Sequence, residues 1–333
     1  MIFIERPQTD PFFNIATEEY LLKNMDEEIL MLWQSEPSVI LGKHQNTLKE
    51  VNLGYVTRHK IPVIRRISGG GTVFHDLGNI NYTLITHGEK QENLVDFRKF
   101  TLPMILFLRE FGLEARFEGK NNLTLNGKKF SGNSAHVFKN RVMHHGTFLF
   151  DTRLDILKNI INQHQSGVQD KSIESIQASV TNITNHLKES ISLIRFKKKM
   201  TDFFLEYFGI DTRQSLIDEI IKNIQKLADE KYYNWSWNYG YSPKYHFTNE
   251  VKSEHGLIHV DLEVKDGLIT EIQLFLDGKA LPDVQNQILG TAHDQAALSA
   301  MLNRNRFSGT LVKALFPGTE PHKDSGILKL GDS

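Results

Sequence analysis

The chain of 333 residues contains no cysteine. That absence excludes disulfides, cysteine-ligated zinc, iron–sulfur clusters and every mechanism that passes through a cysteine acyl-enzyme. Long apolar runs are missing as well: no stretch approaches the roughly 20 residues that a membrane helix needs. The start, Met1-Ile2-Phe3-Ile4-Glu5-Arg6, lacks the basic region and apolar stretch of a signal peptide. The expectation is a cytoplasmic protein with no membrane partner. Nor is there an excess of one charge: Lys+Arg 39 against Asp+Glu 40 gives a formal net charge of -1, which points to neither nucleic acid nor an anionic surface. Internal repeats and low-complexity tracts are absent. What remains is an ordinary globular composition, 40% hydrophobic and 24% charged, at a length that favours one large domain plus one small one.

Asp10-Pro11 ahead of Phe12, Phe13, Ala16 and Tyr20 predicts a helix with aspartate at its N-cap and proline at its first position. Short β-type runs follow at Ile29–Trp33, Val39–Gly42, Pro62–Ile67 and Asn79–Thr86. Leu94–Phe111 is apolar at helical spacing and stops at Gly112, with Pro103 either kinking it or marking its true start. From Glu114 the period becomes two. Asn126-Gly127 is a hairpin signal between Asn122–Leu125 and Lys128–Phe138, and Phe138–Arg141 reads as a second turn leading into Val142–Phe150. Helical patterns dominate from Asp151 to about Lys231. Beyond Tyr239–Pro243, alternation at Val251–Glu254 and Gly256–Leu276, with Asp266-Gly267 as a turn, precedes short helices near Asp294–Asn303 and Thr310–Phe316. The fold class expected is α+β: a large mixed-sheet domain with covering helices over residues 1–243, and a small α+β domain over residues 250–333.

The most unusual segment runs Arg65-Arg66-Ile67-Ser68-Gly69-Gly70-Gly71-Thr72-Val73-Phe74-His75-Asp76. Consecutive glycines inside strand-like sequence weaken it, and they are kept where a backbone must approach something closely. With two arginines beside them, a phosphate or carboxylate suits the bare N–H groups and guanidinium forks. A structural bend with surface arginines is the alternative. The segment spells neither a Walker A loop nor a dinucleotide fingerprint. A second segment, Gly119–Phe150, contains no Asp or Glu but holds Lys120, Lys128, Lys129, Lys139 and Arg141. Lys139 and Arg141, in a turn, read as solvated. Lys129 precedes Phe130-Ser131-Gly132-Asn133 within a strand pattern and can present a point charge to a phosphate. His144-His145 do not suggest a metal centre, because neighbours in a strand point to opposite faces; one is expected to be packed or pocket-lining and the other exposed. The alternating aromatics of Trp235–Gly240 suggest a strand edge or a hinge and are taken as core.

Together these segments resemble lipoate–protein ligase A, the two-domain bacterial type. That family's hallmark, Arg-Arg-x-Ser-Gly-Gly-Gly-x-Val-Phe-His-Asp-x-Gly-Asn, corresponds to Arg65–Asn79. Its Asn-Gly-Lys-Lys-Phe-Ser-Gly-Asn element is similar to Asn126–Asn133, and His-His-Gly-Thr to His144–Thr147. Weaker echoes stand at Asn14–Glu19, Ser179–Asn182 and Trp235–Gly240. The resemblance implies a biotin/lipoate ligase-like fold and a two-step reaction. Lipoate and ATP with Mg²⁺ give lipoyl-AMP, from which an acceptor lysine takes the lipoyl group. The acceptors it implies are lipoyl domains of 2-oxoacid dehydrogenase E2 subunits and the H protein of glycine cleavage. Carried onto this sequence, Arg66, Gly71, Thr72, Val73 and Phe74 would hold ATP or the adenylate. Gly70, Gly71, His75 and His145 would lie along lipoate, and Lys129 would contact both lipoate and phosphate as the catalytic lysine. The chain departs from the pattern at Asn122, where the family usually has aspartate, which puts that position's part in holding metal or phosphate in doubt.

Three rivals share part of this pattern. Acyltransferases on the same fold proceed through a cysteine thioester, a route this chain cannot take. The arginine- and glycine-rich loop of biotin ligases is not what Arg65–Phe74 spells. A non-catalytic lipoate- or adenylate-binding homologue is disfavoured by Lys129 and the three glycines. A monomer is the default expectation.

Overall fold

A computed structural model describes residues 1–88, 94–161, 167–175 and 178–317. In chain order its strands up to residue 243 are β1 (Ile2–Glu5), β2 (Ile29–Trp33), β3 (Ser38–Leu41), β4 (Val63–Arg65), β5 (Val73–His75), β6 (Asn79–His87), β7 (Ala115–Glu118), β8 (Asn122–Leu125), β9 (Lys128–Phe138), β10 (Arg141–Leu149), β11 (Val168–Asp170) and β12 (Arg213–Gln214). Eight of them form one mixed sheet in the order β12-β1-β2-β6-β10-β9-β8-β7, while β4-β3-β5 form a small second sheet. Helices α1 (Pro11–Asn24), α2 (Thr47–Glu50), α3 (Leu53–Arg58), α4 (Phe97–Arg109), α5 (Leu154–Ile160), α6 (Leu193–Phe208) and α7 (Asp218–Leu227) complete this part.

Strand alternation divides the large sheet's side chains between two cores. Leu30, Leu32, Ile80, Tyr82, Leu84 and Phe148 pack with Phe107 of α4 and Phe196 and Phe204 of α6. Ile29, Met31, Trp33, Ile85 and Met143 face the other way, against α1, α7 and Ile40 and Ile64 of the small sheet. The site lies on this second side, where the two sheets meet.

Local chemistry explains most boundaries. Asp10 caps α1, its Oδ1 accepting the Phe13 N–H at 2.7 Å, and Pro11 opens the helix. Asp96 caps α4 through the Lys99 N–H at 3.0 Å, so Pro103 lies inside the helix and does not start it. Asn126 and Gly127 both adopt positive φ (49° and 72°) in the β8–β9 turn, the conformation that such two-residue hairpins demand.

The helical patterns expected to dominate residues 151–231 are there as α5, α6 and α7, interrupted by the short strands β11 and β12. Val168–Asp170 is a strand, and its partner is β13 (Tyr245–Ser253), with Val168 opposite Phe247. Ser236–Gly240 is a wide helical turn, not a strand edge. Its carbonyls and the Asn238 side chain are taken by Arg65, so it needs no ladder partner.

The remaining strands, β14 (Gly256–Lys265), β15 (Leu268–Leu276) and β16 (Lys279–Ala280), extend β11-β13 into an antiparallel five-stranded sheet. Helices α8 (Pro282–Ile288), α9 (Gln295–Leu302) and α10 (Ser308–Leu315) cover it. Its core draws almost wholly on this unit, with Leu48 and Val168 contributed from the first part. Residues 318–333 of the expected C-terminal domain lie outside the described residues. No described helix is long and apolar enough to cross a membrane.

Candidate active site

A cavity of ≈ 450 Å³ opens beside the glycine-rich segment. One wall is Thr72, Val73 and Phe74, where β5 begins; the opposite wall is Lys129 and Gly132 of β9. Leu149, Leu154, Leu157 and Ile161 give it apolar lining, and Lys128, Lys129, Lys158, Ser175 and Ser179 give it polar lining. A planar base suits the first set and an anion the second.

Lys129 is held from three directions. Its backbone bridges to the neighbouring segment, its N–H donating to Ser179 O at 2.8 Å and its carbonyl accepting from Thr181 N at 2.9 Å. A Cβ on Gly132 would stand 3.0 Å from Lys129 Nζ and Cε, so the glycine makes room for the side chain. Asn133, next along, is clamped to Asn121, whose carbonyl accepts from both Asn133 N (3.1 Å) and Asn133 Nδ2 (2.8 Å). Burial, and then the charge of Arg66, hold the Lys129 ammonium below the usual lysine range.

The two arginines divide their work. Arg65 is fully buried, and its guanidinium donates to the carbonyls of Gly42, Lys43, Gln45, Trp237 and Asn238 and to the hydroxyls of Thr47 and Ser242. It staples the chain around residue 238 to the small sheet and is not a ligand-facing charge. Arg66 folds back on the glycines, donating to Gly69 O at 2.6 Å, Gly71 O at 2.8 Å, Ile40 O at 3.1 Å and Ser68 Oγ at 3.0 Å. Burial lowers it only to about 10, so it stays charged at neutral pH. Gly70 sits at φ +86°, a backbone conformation that side chains rarely adopt.

Behind the loop the two sheets enclose buried polar groups. His145 Nε2 lies 2.6 Å from Ser68 Oγ, and His145 Nδ1 lies 2.9 Å from Glu18 Oε1. His75 packs edge-on to Trp33, and its Nδ1 has no partner among the described residues. Burial, reinforced by Arg66 and His145, pushes His75 down to about 3, so it is a neutral imidazole. Asn79 Oδ1 and Asn81 Nδ2 are likewise buried without partners there. His144 points to the opposite face of the sheet and stacks on Phe100. The expectation that one of the pair is exposed is wrong: both are buried, because helices cover one face and the second sheet covers the other.

Of the residues singled out from sequence, Thr72, Val73, Phe74 and Lys129 line the cavity together. Arg66, Gly70, Gly71, His75 and His145 form the shell behind it. Asn122 is not among the lining residues; it pairs with Gly132 from the next strand. Among the described residues no three His, Asp or Glu converge as a metal site. Sequence reasoning missed a clamp on the loop. Glu50, buried at the end of α2, accepts the Ser175 N–H at 3.1 Å and the Ser175 hydroxyl. Ser175 Oγ in turn accepts the Thr72 N–H at 2.9 Å and Gln45 Nε2 at 3.0 Å. Only the polar cluster Gln45-Asn46-Thr47 and Glu50 hinted at it, and such a run more often reads as solvated.

Residues 10–205 match the family described as lipoyl protein ligase A/B catalytic domain, and residues 242–315 match bacterial lipoate protein ligase C-terminus. The chain is 38% identical over 291 residues to lipoate–protein ligase 1 of Staphylococcus aureus, covering 86% of this chain and 88% of that one. It is 34% identical over 327 residues to the lipoate-protein ligase LplJ of Bacillus subtilis, covering 95% and 98%. Its fold is similar to that of a bipartite lipoate protein ligase of Thermoplasma acidophilum, studied with its E2 lipoyl domain, at a TM-score of 0.62 and 24% identity, covering 72% of this chain and 96% of that one. A lipoate-protein ligase A bound with ATP gives a TM-score of 0.61 at 24% identity, covering 72% and 98%. With both regions matched in order along one chain, this protein belongs to the lipoate–protein ligase family.

Proposed function

We propose that the chain is an ATP-dependent lipoate–protein ligase that works through lipoyl-AMP in the cavity between Thr72–Phe74 and Lys129. The lipoate carboxylate attacks the α-phosphorus; the bond from that phosphorus to the bridging oxygen breaks, and pyrophosphate leaves. The Nε of an acceptor lysine then attacks the acyl carbon, the bond to AMP breaks, and the new amide nitrogen loses a proton to solvent. Negative charge gathers on the α-phosphate oxygens in both steps. A preorganised ammonium stabilises that charge without having to reorient.

The observation that carries this reading is Lys129, fixed by Ser179 and Thr181 on its backbone and by Gly132 under its side chain, across the cavity from the start of β5. Thr72, Val73 and Phe74 hold the nucleotide, with the base against Leu149, Leu154 and Leu157. Arg66 acts chiefly by shaping Gly69–Gly71. Lipoate lies toward Gly70, His75 and His145, where the buried His75 Nδ1 has no partner among the described residues. Residues 1–243 carry this chemistry, with the following unit as an accessory domain. Among the described residues no acidic cluster converges and Asn122 brings no charge, so Mg²⁺ would come with ATP and supply neutralisation of phosphate charge.

Acceptors are E2 lipoyl domains and the glycine-cleavage H protein. The likeness to a ligase studied with its E2 lipoyl domain supports the first of these. The test is pyrophosphate release from lipoate and MgATP, followed by intact mass of an acceptor domain. One lipoyl group on the acceptor, strictly dependent on ATP or supplied lipoyl-AMP, is expected. Lipoate binding without pyrophosphate release would instead mark a non-catalytic homologue.

A further inference from the structure

Outside the cavity, a second concentration of positive charge borders the glycine-rich segment. On β9, Ser134, His136 and Phe138 alternate onto the face that carries Met143 and His145 of β10, toward α1. Lys23 of α1 lies over the Phe138 ring at 5.5 Å, and Lys139 lies over the same ring at 5.3 Å. Lys23 Nζ reaches Glu19 Oε1 at 2.5 Å, and Lys231 Nζ reaches Glu19 Oε2 at 2.7 Å while standing 3.9 Å over the Trp237 ring. Lys43 is the fourth. Burial, and then Lys43 and Lys23, hold His136 below the ordinary histidine range, and the same two lysines act on Lys231. Glu19 is buried and already shared by Lys23, Lys231 and Tyr232. Among the described residues neither Lys43 nor Lys139 has an ion-pair partner. The acidic run Asp26–Glu28 past the end of α1 lies beside Arg141. The lysine surface meets the glycine segment at its start, where Lys43 donates its N–H to Ser68 O at 2.8 Å and Ser134 Oγ donates to Gly69 O at 2.9 Å. The nucleotide cavity meets the segment farther on, at Thr72–Phe74, and none of these lysines lines it.

Four ammoniums around one engaged carboxylate, on a chain whose net charge is -1, make a local field that favours an anionic partner. The proposed reaction supplies one, the acceptor domain, whose lysine must reach an acyl group lying by Gly70. That lysine is itself a cation. Lys23, Lys43, Lys139 and Lys231 would repel it unless carboxylates arrive with it. We propose that this surface docks the acceptor domain by binding carboxylates that flank its target lysine. The inference rests on the proposed ligase reaction. Lys23 and Lys231 are held in place by Glu19 and by the rings beneath them, so they keep the field fixed. Lys43 and Lys139, unpaired, are the ones free to form new contacts. Charge pairs at a solvated rim govern encounter and register and leave the chemical step alone.

The test uses the full-length protein with Lys43→Gln, Lys139→Gln and the double variant, changes that leave the pairs on Glu19 intact. Transfer from supplied lipoyl-AMP is measured to an E2 lipoyl domain at several salt concentrations. In parallel it is measured to butylamine, a nucleophile with no surface to dock. Pyrophosphate release from lipoate and MgATP without acceptor follows the first half-reaction. The double variant should raise KM for the lipoyl domain roughly tenfold and lose much of its salt dependence, with butylamine transfer and pyrophosphate release unchanged. Replacing carboxylates beside the domain's target lysine by amides should raise KM similarly for the unaltered ligase and add little more in the double variant. An unchanged KM for the domain in the double variant would overturn the proposal and leave the lysines as solvated surface. A parallel fall with butylamine would overturn it too, placing the lysines in the chemistry. If the unaltered protein neither released pyrophosphate nor modified the domain, the proposed function would fail first.

Discussion

At the scale of single residues, Lys129 is a charge whose position is over-determined. Lys129→Ala should cost on the order of 10²–10³ in the rate of pyrophosphate release while leaving thermal stability near that of the parent, since the side chain faces the cavity. A stable variant with near-normal turnover would remove the lysine from the mechanism. The active form is the ammonium, and burial with Arg66 lowers its pKa. The kcat/KM for ATP should therefore fall on the alkaline side at a pH below the usual lysine range. Lys129→Arg, always charged, should lose that alkaline limb even if its absolute rate is poor. The opposite face offers a stability test. Burial pushes His144 down to about 4, and neither ring nitrogen has a partner among the described residues. With the folded pKa below the unfolded one, its contribution is intact above about pH 6.5 and is lost as pH falls toward 4. His293, also about 4, and His75, about 3, act in the same direction. His144→Phe, at a ring stacked on Phe100 and edge-on to Phe97, should raise Tm and flatten its decline between pH 7 and 5; an unchanged slope would contradict this.

At the scale of elements, the glycine loop is held by a carboxylate from α2 acting through Ser175. The same short stretch reaches back to β11, where Asp170 accepts from Asn46 Nδ2 at 2.8 Å and pairs with Lys49 at 3.4 Å. Glu50→Gln keeps the shape but gives one of the two Ser175 donors a donor to face. The loop should loosen, raising KM for ATP roughly tenfold with a smaller change in kcat and in transfer from lipoyl-AMP. Equal KM in a folded variant would show that the clamp is packing alone. The turn at Asn126-Gly127 and the cap at Asp10 were legible beforehand, because each is decided by residues within four positions of itself. The clamp was not, because Glu50, Thr72 and Ser175 are far apart in sequence and individually unremarkable.

At the scale of the whole molecule, the two parts are joined by more than the chain between them. Leu48 packs into the C-terminal core on one side, and β11 enters the C-terminal sheet on the other. A chain ending at Pro243 keeps both cores of the large sheet and should fold by far-UV circular dichroism. It leaves β11 without β13, so the segment that carries Ser175 over Thr72 keeps Glu50 but loses its sheet partner. Adenylate formation should fall sharply while transfer from supplied lipoyl-AMP continues. Full ATP-dependent activity, or an insoluble product, would argue against this coupling.

What the sequence determined by itself was chemistry that is covalent or local. The missing cysteine excluded thioester transfer outright, and the glycine-rich segment and the stretch around Lys129 were singled out before the fold brought Thr72–Phe74, Lys129 and Gly132 to one cavity. Adjacent histidines on opposite faces followed from strand geometry alone. Tertiary structure decided what depends on partners distant in the chain: that Arg65 staples a turn while Arg66 shapes the loop, that both histidines are covered, and that Val168–Asp170 is a strand. Hydrogen-bond donors and a short extended segment take their role from whichever acceptors and edges the fold brings to them. A side chain's own identity carries no record of those neighbours.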